Sequence, residues 1–150
     1  MEYAAQAART TCQAPAVLSA CRSLAQALHA ALSGQPKEAI LEQARATPAI
    51  LPQPVPAPVT PPVAGATAPE ALALALEIFA NSGNFRDAVL QAANLGGNCD
   101  VIASVCGALA GAHYTASAIP ALWRNSLMKQ GLIESFADRL LAHALLELGD

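Results

Sequence analysis

The sequence has little charge and few aromatic side chains. Charged residues make up 13% of its 150 residues, aromatic residues make up 4%, and the net charge is −3. Soluble domains are ordinarily about 25% charged. Lysine and arginine form no cluster here, which argues against a phosphate-binding surface of the nucleic-acid type. We therefore expect no nucleic-acid partner.

The cysteines and histidines lack the spacing of a zinc site. No Cys-x-x-Cys pair occurs among Cys12, Cys21, Cys99 and Cys106, and the three histidines lie far apart. We expect four reduced, buried thiols rather than a zinc centre.

Long apolar runs are also absent. The uncharged run at residues 101–112 is well short of the roughly 20 residues that span a bilayer. The N-terminus has no basic segment followed by a continuous apolar one, as a signal peptide has. We expect a soluble, cytoplasmic protein with no membrane partner.

The sequence does contain apolar residues at spacings of three and four, which is typical of helices. No stretch shows sustained alternation of β-branched and polar residues, as a strand would. This pattern predicts an all-α, compact multi-helix fold. The inner face of the helix that begins near Pro15 is predicted to comprise Val17, Leu18, Cys21, Leu24, Ala25, Leu28 and Leu32. Leu72, Leu76 and Phe79 define the next inner face after the midpoint of the chain, and Asn84 is the predicted N-cap of the helix that follows. Trp123 and Leu127 are predicted to anchor a short helix, and the last helix has an apolar face formed by Ile133, Phe136, Leu140, Leu141 and Leu145.

A proline-rich stretch divides the helical regions. Residues 47–69 hold eight of the eleven prolines and no charged residue. Prolines at this density favour extended polyproline II structure, which predicts a linker or long loop. We therefore divide the chain into a helical segment at 1–46, the linker at 47–69 and a C-terminal helical part at 70–150.

A polar turn, "NLGGNCD", precedes the helix predicted at about residues 100–114. Gly96 and Gly97 permit positive φ, so a tight reversal with Asp100 as N-cap is one interpretation. The other is that the oxygens of Asn98 and Asp100 converge on a hard cation such as Mg²⁺. Gly107 and Gly111 lie on one face of the following helix, which we therefore expect to be central.

The residues around this turn resemble the C-terminal portion of the ADP-ribosylglycohydrolase family. The resemblance covers "EALALALEIFANSGNFRDAVLQAANLGGNCDVIASVCGALAGAHYTASAIPALW", residues 70–123. The family pattern runs Phe-x-x-Ala-(Val/Leu), Asn-x-Gly-Gly-Asp-x-Asp-Thr, Gly-Ala-(Leu/Ile)-Ala-Gly-Ala-x-Tyr and Ile-Pro-x-x-Trp. A weaker similarity joins residues 9–41 to the family's Thr-His-x-x-Pro segment and the helix after it.

The resemblance implies an all-α fold of the ADP-ribosylglycohydrolase type and hydrolysis of the glycosidic bond in ADP-ribosylated proteins or small molecules. It also implies two Mg²⁺ ions, with Asp100 and Asn98 at ligand positions of the motif. Gly96 and Gly97 match the family as they stand, and Cys12 occupies the place of a histidine that faces the ligands. These three residues are the implied substrate-binding positions.

The chain departs from the family pattern at several of these positions. Asn98 replaces an aspartate and Val101 replaces a hydroxyl ligand, and no acidic cluster precedes Tyr3. Two Mg²⁺ ions need several converging oxygens, so we expect metal binding to be weak or lost. The first hypothesis is a truncated or degenerate family member with doubtful activity. The alternative is a non-catalytic helical interaction module. Without the family's N-terminal part, we expect uncovered apolar surface on the helix at residues 101–112 and its neighbours, so that the chain self-associates or is only marginally stable.

Overall fold

The structure, a computed structural model, describes residues 2–46 and 67–147, and these residues form helices without strands. The all-α prediction is confirmed. The α-helices are α1 (Glu2–Arg9), α2 (Pro15–Leu32), α3 (Lys37–Ala46), α4 (Ala68–Asn81), α5 (Phe85–Ala93), α6 (Cys99–Tyr114), α7 (Ala121–Asn125) and α8 (Gln130–Glu147). A short 3₁₀ helix, Ala116–Ala118, follows α6.

The chain divides into two compact units, Met1–Ala118 and Ile119–Asp150. The predicted division at 1–46, 47–69 and 70–150 stays a prediction, since residues 47–66 lie outside the described part. Ala68 and Pro69, placed in the linker, belong to the first turn of α4, where proline needs no backbone donor. No helix in the described ranges is both long and apolar enough to cross a membrane.

In the first unit, α6 packs against α2, α4 and α5, while α2 also contacts α1, α3 and α4. The prediction that the helix of Gly107 and Gly111 is central is confirmed. Alanine supplies more than half of the buried apolar residues, so neighbouring helices approach one another closely. The largest fully buried side chains include Phe79, Ile102 and Leu109.

The predicted inner face of α2 is partly wrong. Leu18 is buried, but Leu32 is 75% exposed, and Val17, Cys21, Leu24, Ala25 and Leu28 are only half-buried. The most deeply buried positions are instead small ones, among them Ala20, Ser23 and Ala27. The reason is that α2 has helices on several sides, and small residues occupy the positions of closest approach.

Two other predictions for the first unit are confirmed. Leu72, Leu76 and Phe79 are all buried in α4. Asn84 is the predicted N-cap of α5, and its side-chain oxygen accepts a hydrogen bond from the Asp87 amide at 2.9 Å.

The second unit holds α7 and α8. The prediction that Leu127 anchors α7 is wrong, because α7 ends at Asn125 and Leu127 is 52% exposed. The Ser126 hydroxyl donates to the Trp123 carbonyl at 2.9 Å, which closes the helix before Leu127. The predicted apolar face of α8 is present, and its five residues are each more than half exposed.

Candidate functional site

The turn between α5 and α6 carries four of the five predicted site residues. The α5 helix ends at Ala93, and the side-chain amide of its C-cap residue Asn94 donates to the Leu90 carbonyl at 2.8 Å. Gly96 and Gly97 follow with φ of 76° and 57°, a region that residues with a Cβ rarely adopt. A Cβ on Gly96 would have no neighbour within 4 Å. The turn therefore needs glycine at Gly96 for its backbone conformation and not for lack of space.

Asn98 occupies the N-cap position of α6, and the prediction that Asp100 is the N-cap is wrong. The helix begins at Cys99, so Asp100 is its second residue. The Asn98 side chain makes no capping hydrogen bond, although its carbonyl accepts from the Ile102 amide at 3.2 Å. The Asp100 carboxylate therefore does not cap α6.

Asp100 presents an exposed carboxylate in the first turn of α6. The positive end of the helix dipole favours a negative charge there. Within residues 2–46 and 67–147, no side chain forms a hydrogen bond or ion pair with this carboxylate. Val101, beside it, is 45% exposed and supplies no oxygen donor. Asp100 is thus positioned to meet a ligand from solvent.

Cys12, the fifth predicted residue, lies in the loop between α1 and α2. Its amide donates to the Ala8 carbonyl at 2.9 Å, and its half-buried thiol is free. This loop belongs to the same compact unit as the Gly96–Asp100 turn. All four cysteines are free, but the prediction that all are buried is wrong, since only Cys106 is buried. Cys12 lies in a loop, Cys99 is the first residue of α6 and Cys21 lies on a partly covered face of α2.

The donor set does not fit two Mg²⁺ ions. Across the described residues, no group of three or more His, Cys, Asp or Glu side chains is close enough to hold a metal ion. Asp100 offers a carboxylate and Asn98 a neutral amide oxygen, whereas Mg²⁺ is normally bound by six oxygen ligands, several of them water. The role of Mg²⁺ and the ligand roles of Asn98 and Asp100 stay predictions.

The middle and C-terminal part of α6 pack closely against α5. A Cβ added at Gly107 would lie 3.6 Å from the Val89 methyl carbon Cγ2, and one at Gly111 would lie 3.8 Å from Phe85. The Cys106 thiol donates to the Ala88 carbonyl at 3.6 Å. Burial raises the pKa of Cys106 to about 11, a rise that the charge of Lys37 opposes. This thiol stays protonated and serves packing rather than nucleophilic chemistry.

A polar cluster at the other end of α6 was not predicted from the sequence. The Lys37 ammonium donates to the Ser82 carbonyl and, at 2.8 Å, to the Tyr114 hydroxyl. Tyr114 also donates to the Ser82 carbonyl at 2.9 Å, and the ammonium lies 4.8 Å from the centre of the Phe79 ring. The cluster joins α3, α4 and α6. No local pattern reveals it, because Lys37 and Tyr114 are 77 residues apart.

Comparison with known proteins gives consistent results. The ADP-ribosylglycohydrolase family model matches residues 1–147. The chain is 45% identical over 60 residues to "ADP-ribosylarginine hydrolase Tri1" of Serratia proteamaculans, covering 40% of this chain and 16% of the relative. It is 39% identical over 75 residues to "ADP-ribosylarginine hydrolase Tri1" of Pseudomonas putida, covering 50% of this chain and 20% of the relative.

A solved structure described as "ADP-ribosylglycohydrolase-related protein complex" is similar with a TM-score of 0.80 and 37% identity. The similarity covers 91% of this chain and 50% of the solved chain. The matched regions therefore span half or less of the length of these relatives. Motif, helical architecture and family model agree over nearly the whole sequence, and the chain belongs to the ADP-ribosylglycohydrolase family.

Proposed function

We propose that this chain binds the ADP-ribose part of ADP-ribosylated arginine through the Gly96–Asp100 turn. The observation that carries the proposal is the exposed Asp100 carboxylate in the first turn of the central helix, inside the family motif, which has no side-chain partner among the described residues. The choice of arginine rests on the names of the two similar hydrolases. A carboxylate accepts strong hydrogen bonds from hydroxyl groups, and ADP-ribose presents ribose diols.

Each residue of the turn has a proposed part in binding. Asp100 accepts from a ribose hydroxyl, and the neutral Asn98 oxygen is a weaker second acceptor. At Gly96 and Gly97 the absence of side chains lets the ligand approach the backbone closely. Cys12 is proposed to contribute to the same binding site from its loop.

Hydrolysis of the glycosidic bond requires more than this turn. The family chemistry uses bound Mg²⁺, which when present orients the substrate and stabilises developing charge. The described donors are too few to hold two such ions. We therefore propose that the chain by itself binds ADP-ribose but does not release it from ADP-ribosylated arginine.

Calorimetric titration of the full chain with ADP-ribose tests the binding proposal. We expect saturable binding that weakens at least tenfold in Asp100→Asn. Asp138→Asn, the same change at an exposed carboxylate in α8, serves as control and should leave the affinity unchanged. Absence of binding, or equal effects of the two substitutions, would contradict the proposal.

A non-catalytic interaction module is the second candidate function. The specific observation in its favour is the row of exposed apolar side chains on α8. If the chain fails to bind ADP-ribose but still forms a defined complex through α8, this second function is the better account.

A further inference from the structure

Exposed apolar side chains are concentrated on α8. Seven large residues of this helix are each between 51% and 75% exposed: Leu132, Ile133, Phe136, Leu140, Leu141, Leu145 and Leu146. By contrast, α6, where uncovered surface was expected, buries Ile102, Cys106 and Leu109 completely. Scattered exposed leucines are ordinary, but seven on one 18-residue helix mark an interaction surface.

These side chains are not spread evenly around α8. Between residues 131 and 146, at 3.6 residues per turn, a sector of about 140° contains Ile133, Phe136, Leu140 and Leu141, together with Ala137 and Ala144. We call this sector the α8 stripe. Leu132 and Leu145 lie on its two flanks, while Leu146 lies about 150° from its centre. The stripe is wide enough to pack against another helix.

Between residues 131 and 146 the α8 stripe contains no ionisable residue, and Glu147 falls in the same sector only at the last position of the helix. Glu134 and His143 lie just outside its two edges, and Glu134 accepts a hydrogen bond from the Gln130 amide at 2.9 Å within the same helix. The Arg139 guanidinium lies 5.6 Å from the centre of the Phe136 ring and so is also held within the helix. Two identical stripes therefore meet without bringing like charges together at their centre.

The available area is sufficient for pairing of two copies. Full burial of one large apolar side chain removes roughly 100 Å² from water. The four large stripe residues supply about 800 Å² from two copies together. Covering the two flanking leucines as well brings the total to about 1,200 Å², which is the lower end of the range for specific interfaces. The surface is also convex, so it fits a second helix rather than a small molecule.

We propose that the α8 stripe is a self-association surface whose partner is α8 of a second copy of this chain. The two helices pack with Leu140 and Leu141 near the centre of the contact. This inference does not depend on ADP-ribose binding, because it concerns a different helix and a different kind of ligand.

Sedimentation of the full chain over a range of concentrations tests the proposal. We expect a concentration-dependent species of twice the 15.3 kDa chain mass. Leu140→Glu should weaken the association at least tenfold. Leu146→Glu is a matched control, since the two leucines are 72% and 75% exposed on the same helix, but Leu146 lies outside the stripe. That control should associate as the unchanged chain does.

Hydrogen exchange of the α8 amides provides a second readout. We expect protection that increases with protein concentration, is lost in Leu140→Glu and is retained in Leu146→Glu. A monomer at all concentrations would overturn the proposal. In that case protected α8 amides would mean that the helix is covered by its own chain, and unprotected amides would mean that the surface awaits a different protein. Equal weakening by both substitutions would also overturn it.

Discussion

Asn98 and Val101 are the two residues whose chemistry departs most from the family motif. Replacing them with aspartate and threonine adds one carboxylate and one hydroxyl beside Asp100. Two Mg²⁺ ions still need more oxygens than these three residues supply. The Asn98→Asp/Val101→Thr double variant should therefore release no ADP-ribose from ADP-ribosylated arginine. Turnover by this variant above that of the unchanged chain would show that the donor set is larger than we infer.

Thr115 carries backbone strain at the end of α6. Its φ of 72° and ψ of 167° lie in a region essentially restricted to glycine. Thr115→Gly should therefore raise the free energy of unfolding by about 1 kcal/mol. Thr115→Ala is the control, because it also removes the hydroxyl that lies 2.9 Å from the Ser117 hydroxyl but keeps the Cβ. If denaturant unfolding shows that Thr115→Gly is no more stable than Thr115→Ala, Thr115 does not carry the backbone strain.

At the element scale, the contact between α5 and α6 depends on the size of residue 107. A Cβ there would make an ordinary contact at 3.6 Å with Val89, so Gly107→Ala should be tolerated or slightly stabilising. Gly107→Leu adds three further carbons and should lower the free energy of unfolding by about 1–3 kcal/mol. Urea titration compares the two variants. Equal stabilities would mean that α6 does not pack closely on α5 at this point.

The cluster of α3, α4 and α6 should make stability depend on pH through His113. Its ring contacts those of Phe79 and Tyr114 at 5.5 and 4.8 Å between centres. Burial lowers the pKa of His113, the Lys37 charge lowers it further, and Glu38 opposes the shift. The neutral ring is therefore favoured in the folded state, while the unfolded state takes up the proton first as pH falls.

The free energy of unfolding should therefore decrease as the pH falls from about 6.5, the usual histidine pKa, towards the lower pKa of His113 in the folded chain. Thermal melts at pH 7.5 and pH 5.5 should show a larger decrease in Tm for the unchanged chain than for His113→Gln. The same decrease in both proteins would rule out His113 as its source.

The helices were predictable because their start and stop signals are local. Pro15, Asn84 and the apolar spacing of Leu72, Leu76 and Phe79 each depend on a few neighbouring residues. The burial of Ser23 and Ala27 in α2 was not predictable, because it depends on how many helices surround α2. The misplaced Leu127 has a local cause, since a five-residue helix gives too few turns for periodicity to locate its end.

At the scale of the whole molecule, the family and its fold were recognisable from several motifs in residues 70–123 and from their order and spacing. The turn at Gly96–Asp100 was located correctly because it is contiguous in sequence. The Lys37–Tyr114 contact at the other end of α6 was not predictable, because it joins residues 77 positions apart through tertiary packing. The chain covers 50% of the similar solved chain. We infer that this part keeps the family's helical fold but only one carboxylate of the Gly96–Asp100 turn, that of Asp100.

Calorimetric titration of the full chain with Mg²⁺ tests that claim most directly. Because Asp100 is the one carboxylate in the turn, we expect little specific heat at near-physiological Mg²⁺ and no change in that result for Asp100→Asn. Two saturable sites of roughly micromolar affinity, abolished by Asp100→Asn, would contradict the account and show that this chain assembles the binuclear centre by itself.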